Sequence, residues 1–237
     1  MRIFLAGASG VIGQRLIPLL LGAGHEVTGT TRSAAKAAEL KAAGIAPVVV
    51  DVFDADAVRV AVASARPHAM IHQLTDLPDL LDPAHMAEAL ARNSRLRVEG
   101  TANLVAAARA AGVRRLIAQS IAFAYADGPE PHQETDPLAA GEGPGGVSVR
   151  GVRALEDAVL NAPGIEGIVL RYGRLYGPGT WNMPNARAPL HVDAAAHAAL
   201  LALTRGAPGV YNIAEQDGAV AIEKGRRELG FDPAFRS

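Results

Sequence analysis

Short β-branched runs alternate along this chain with Ala- and Leu-rich stretches whose apolar positions recur every three or four residues. The short runs at 2–6, 26–31, 47–51, 69–73, 115–119 and 165–171 predict strands. The stretches at 11–24, 34–43, 55–64, 85–111 and 148–160 predict helices. Val11, Ile12, Leu16, Leu19 and Leu20 make an apolar face on the first helix, and Pro18 inside it predicts a kink. On the long helix Leu90, Arg97, Thr101, Leu104 and Ala108 keep helical spacing. A helix at 193–204, a strand at 209–213 and a last helix at 221–229 follow. Strands alternating with helices in this way build βαβ units with right-handed crossovers. The expected fold class is therefore α/β, a Rossmann-type doubly wound parallel sheet.

Two segments break the rhythm. Residues 126–147 hold five Gly and four Pro with no periodicity, as expected of a lid or binding loop. Residues 173–190 are a second Gly/Pro-rich passage. The expected division is 1–171 as a Rossmann-type domain and 172–237 as a reduced region packed on it.

Composition narrows the chemistry. The 237 residues carry 23 basic and 24 acidic side chains, so no net field draws nucleic acid or an anionic membrane. No apolar run approaches the roughly 20 residues needed to cross a bilayer. The absence of Cys excludes a disulfide scaffold, a thiolate metal site and a cysteine nucleophile. His68 and His72 lie too far apart on a strand to share a metal, so none is assigned. The expected protein is cytoplasmic, with a small-molecule substrate.

Gly7-Ala8-Ser9-Gly10-Val11-Ile12-Gly13 lies between the first strand and the first helix. Glycine suits a tight turn, close backbone approach to a pyrophosphate, and helix–strand packing, while the helix N-terminus offers N–H groups to phosphate. Gly7, Ser9, Gly10, Val11, Ile12 and Gly13 are thus the expected dinucleotide turn.

From this turn onward the residues resemble the extended short-chain dehydrogenases/reductases, the NAD-dependent epimerase/dehydratase group. Further matches run in order: Gly100-Thr101-Ala102-Asn103-Leu104, Gly112-Val113-Arg114-Arg115, Leu170-Arg171-Tyr172-Gly173, Tyr176-Gly177-Pro178-Gly179, His191-Val192-Asp193 and Tyr211-Asn212-Ile213. The resemblance implies that Asp51 and Val52 contact adenine and that Gln73, Leu74 and Thr75 pass the nicotinamide ribose. Independently, Asp51 could cap the helix that follows it, and Asp193 reads first as a helix N-cap.

The cofactor choice follows from the end of the second strand. An NAD site wants a carboxylate there, but this chain has Thr31, Arg32 and Ser33, which suit a 2′-phosphate. NADP(H) is the expected cofactor, with NAD(H) an alternative.

The resembled family uses a Tyr and a Lys four apart on one helix. Counting back from Glu156 in fours reaches Val152 and Ser148, and no Tyr-x-x-x-Lys occurs anywhere. The family's catalytic hydroxyl position maps to Ile121, beside Ser120. Ser120, Tyr125 and Tyr172 are therefore the expected catalytic hydroxyls. The expected activity is NADPH-dependent reduction of a small carbonyl, imine or activated alkene. A nucleotide-sensing protein without chemistry and a sugar-nucleotide epimerase are the alternatives. The resemblance also implies a homodimer formed through the helices at 85–111 and 148–160.

Overall fold

The computed structural model describes residues 1–77, 85–142, 145–180 and 184–237. Seven parallel strands form one sheet in the order β3-β2-β1-β4-β5-β6-β9. These are β1 (Arg2–Ala6), β2 (Glu26–Thr31), β3 (Ala46–Val49), β4 (Ala69–His72), β5 (Arg115–Ile121), β6 (Glu166–Tyr172) and β9 (Gly209–Ile213). The order reverses between β1 and β4, which is where ligands gather at strand C-termini in such sheets. A second, two-stranded sheet pairs β7 (Arg174–Tyr176) with β8 (Pro189–His191), inside the passage expected to be irregular.

Period-2 alternation sends successive residues to opposite faces. Ile3 and Leu5 join one core cluster, with residues of α1 (Val11–Gly22) and α7 (Val192–Leu201). Phe4 and Ala6 join the other, with residues of α3 (Ala55–Ala65), α5 (Thr101–Ala110) and α6 (Gly146–Leu160). Buried on both faces, the central strands read as nearly continuous apolar runs.

Local chemistry explains the helix boundaries. Ser33 caps α2 (Ala34–Ala42) by accepting from the Lys36 N–H, and Asp54 caps α3 by accepting from the Ala57 N–H. Asp51 is therefore not the cap of α3; its carboxylate accepts from the Phe53 N–H instead. Helix α1 runs through Pro18, which faces solvent, where water can serve the Gln14 carbonyl that proline leaves without a donor. Asp193 is not an N-cap either: His191 caps α7, accepting at Nδ1 from the Asp193 N–H.

The long predicted helix is present as α4 (Met86–Arg95), a π-helical turn (Leu96–Gly100) and α5. In the turn the Thr101 N–H reaches back five residues to the Leu96 carbonyl. The expected last helix is present in shortened form, helical from residue 223 and π-helical over Gly225–Leu229.

Candidate functional site

A cavity of about 810 Å³ opens at the C-terminal ends of β1, β2, β4, β5 and β6, which places it at the reversal of strand order. That volume is at the upper end for small-molecule sites. Its lining contains most of the residues expected to hold a dinucleotide: Gly7, Ser9, Gly10, Val11, Ile12, Thr31, Arg32, Ser33, Asp51, Val52, Gln73, Leu74 and Thr75. Gly13 lies one step behind this lining.

The glycine turn is built for backbone proximity. Gly7 sits at φ +90, and a Cβ there would meet the Gln73 carbonyl carbon at 2.8 Å. A Cβ on Gly13 would come within 2.3 Å of the Gly7 oxygen, so Gly13 packs the helix onto the turn rather than facing a ligand. Gly10 precedes α1, which has no side-chain cap, leaving that N-terminus available to an anion. Thr30 and Thr31 brace the turn from β2: the Gly7 N–H donates to Thr30 Oγ1 and Ser9 Oγ donates to Thr31 Oγ1.

At the β2 end the Arg32 guanidinium is largely exposed and pairs with Asp76 at 3.3 Å. Lys36, in the first turn of α2, lines the same part of the cavity. The sequence reading missed Lys36, although it stands four residues past Arg32 at a helix start. Gln73 is buried; its Nε2 donates to Tyr172 Oη, while among the described residues its buried Oε1 has no partner. An orphaned acceptor beside the glycine cradle fits a ligand that brings its own donor, such as a ribose hydroxyl or a carboxamide.

The expected catalytic hydroxyls are arranged differently from the expectation. Ser120 and Tyr125 are absent from the lining, which instead contains Gln119, Ile121 and Phe123. One residue is one face in a strand. Ser120 consequently projects toward α6, where its Oγ donates to Glu156 Oε1 at 2.6 Å. Arg171, its register partner on β6, grips the same carboxylate through Nε at 2.9 Å and Nη2 at 2.6 Å. Tyr125 donates to Asn212 Oδ1 at 2.6 Å, stacks on His132 and lies under the Arg171 guanidinium. Burial pushes its phenol up. Tyr172 does line the cavity, but its hydroxyl donates to the Ala195 carbonyl, and burial pushes its phenol well above the usual range. None of the three holds a proton toward the cavity.

Other residues that sequence reasoning did not assign do reach the cavity. Arg97 lines it from the π-helical turn, with Nη1 donating to Ser148 Oγ at 3.2 Å. Phe123 is 44% exposed, and the Arg174 guanidinium lies 4.3 Å from its ring centroid. The one available signal for Arg97 was its place among buried residues on the long helix.

The sequence model of the NAD dependent epimerase/dehydratase family matches residues 3–189. The chain belongs to that family. Among curated relatives, the 3-diazoavenalumate denitrifying reductase of a Streptomyces species is 45% identical over 223 residues, covering 93% of this chain and 70% of the relative. Among solved structures, the UDP-glucose 4-epimerase of Thermotoga maritima superposes with a TM-score of 0.80 at 18% identity, covering 100% of this chain and 94% of that one. The Bordetella bronchiseptica enzyme WbmG in complex with NAD gives 0.76 at 22% identity, covering 100% and 90%. These two structures share the fold. The family and the reductase relative establish the chain as an NAD(P)-dependent oxidoreductase.

Proposed function

We propose that this family member is an NADPH-dependent reductase whose acceptor needs no proton from the protein, and that this acceptor is an aromatic diazo carboxylate. The observation that carries the reading is the missing acid. Ser148 and Val152 occupy the places of the family's Tyr and Lys, and Ser120, Tyr125 and Tyr172 spend their hydroxyl protons on Glu156, Asn212 and Ala195. A carbonyl accepting hydride becomes an alkoxide and calls for an acid at once. The relative's name describes a reductive loss of nitrogen from a diazo compound, which has no such need.

With the acceptor reacting as its aryl diazonium form, the bound cofactor would supply a hydride for the new C–H bond at the ring carbon, and the C–N electron pair would leave with dinitrogen, the hydride charge cancelling the diazonium charge. No proton enters that balance. The protein's work is then binding and orientation. Gly7, Ser9, Gly10, Val11 and Ile12 would hold the pyrophosphate at the start of α1, with Gly13 keeping that helix against the turn. Asp51 and Val52 would flank the adenine; Gln73, Leu74 and Thr75 would meet the nicotinamide ribose. Thr31, Arg32, Ser33 and Lys36 supply hydroxyls and two cations for a 2′-phosphate, which supports NADPH over NADH.

The same reading includes a homodimer. Helices α4 and α6 lie side by side, and Val98 beside them is 45% exposed.

The test is turnover of 3-diazoavenalumate with NADPH carrying deuterium at the transferable position. Deuterium should appear on the ring carbon that carried nitrogen, with one NADPH consumed per dinitrogen released. Turnover of simple ketones or imines with no reaction on the diazo acid would overturn the proposal.

A further inference from the structure

We infer that Arg97 is the anchor for the acceptor's carboxylate, so that the site selects an aromatic acid by charge as well as by shape. The inference rests on the reductase reading above and adds the residue that would choose the substrate.

Arg97 is 5% exposed and yet lines the cavity. Its one hydrogen bond runs from Nη1 to Ser148 Oγ, and among the described residues its Nε–Nη2 edge has no partner. A second buried arginine in this chain shows what such an edge ordinarily meets. Arg171, also 5% exposed, places Nε and Nη2 on the two oxygens of Glu156. That carboxylate also accepts from Ser120; its charge favours the Arg97 cation as well, but among the described residues no hydrogen bond joins it to Arg97. Among the described residues one buried guanidinium is gripped by a carboxylate, and the other feels that carboxylate only through its charge, with no hydrogen bond to it.

A buried cation whose donors meet no counter-ion directly is costly and persists when something repays it. Burial lowers the Arg97 pKa to about 10 against the opposing effect of the Glu156 charge, so the side chain keeps its charge at neutral pH. The free edge is planar and carries two parallel donors, the geometry that grips a carboxylate bidentately. The backbone supports a functional origin: Arg97 lies in the π-helical turn, and such single-turn bulges inside α-helices frequently occur at functional sites. The same cavity offers an exposed aromatic face in Phe123, backed by Arg174. A ring and a carboxylate on one small molecule match this pair of features.

The test uses binding rather than turnover, so it can fail while the reductase reading stands, and the reverse. Calorimetry on the NADP⁺-saturated protein compares cinnamate with its neutral amide. The acid should bind at least tenfold more tightly, the low end for a hydrogen bond to a charged group. Arg97→Met should bring that ratio close to one while the Kd for NADP⁺ changes less than about twofold, which also checks that the variant has folded. Arg97→Lys, which keeps the charge but loses the fork, should retain part of the preference. The inference is overturned if the wild-type protein shows no preference for the acid, or if the preference survives in Arg97→Met. It is equally overturned if NADP⁺ affinity collapses in both variants, because Arg97 would then hold the cofactor.

Discussion

At the scale of single residues, three side chains carry distinct expectations. Among the described residues Arg32 is tied only to Asp76 at the surface, a weak pair that a phosphate can displace. Arg32→Ala should cost about 1.5–3 kcal/mol in NADPH affinity and leave NADH affinity nearly unchanged, as calorimetry with both cofactors would show. His72 is buried, its Nδ1 accepting from the Leu74 N–H and its Nε2 facing Thr101 Oγ1. Burial first, and the Arg97 charge second, push it from 6.5 down to about 4. The unfolded chain therefore binds a proton more readily than the native one, and stability rises with pH across that interval. Denaturant titrations from about pH 6.5 down to 4 should show a progressive loss of roughly 3 kcal/mol from this group. His72→Asn should flatten that slope. Ser120 serves Glu156 rather than the cavity, so Ser120→Ala should cost about 1.5–3 kcal/mol of stability and change turnover by less than roughly threefold.

At the scale of elements, the decisive contact joins α6 to the β5–β6 pair. Glu156 from the helix meets Ser120 and Arg171 from adjacent strands, all three buried. Glu156→Gln would leave the Arg171 guanidinium buried without its counter-charge, a loss of about 3–5 kcal/mol readable from denaturant midpoints. Replacing both partners by Met should recover most of that loss, because the charge and its desolvation cost disappear together. Much of this level was legible beforehand: the six strand–helix alternations and the glycine turn follow from periodicity and residue type. The π-helical turn was not, since a continuous run of helix formers does not mark where one extra residue enters. The β7–β8 pair was hidden for another reason. Its strands are three residues each, and their pairing is decided across the intervening Gly/Pro-rich segment.

At the scale of the whole molecule, the region after residue 171 does not stand apart. It supplies β9 to the main sheet, and α7 packs against α1 on the face that also buries Ile3 and Leu5. The remaining outward surface of α4 and α6 is where a second copy is expected to dock. Light scattering at micromolar concentration should give twice the chain mass, and Val98→Asp, at an exposed apolar position beside that face, should shift the mass toward one chain.

The sequence by itself determined the class of fold, the glycine turn and most of the residues that line the cavity beside it, because hydrophobic period, glycine spacing and the alternation of strands with helices along the chain are local or nearly local signals. It also disclosed the empty Tyr/Lys positions. Only the tertiary structure decided which hydroxyls face the cavity. Ser120 and Ile121 are adjacent in sequence, and the pleat alone sends one to Glu156 and the other to the site. Only the tertiary structure, likewise, showed that Arg97 and Arg171 are buried alike yet paired differently. Whether a charge has a partner is settled by elements that meet in space after folding, and no spacing along the chain encodes it.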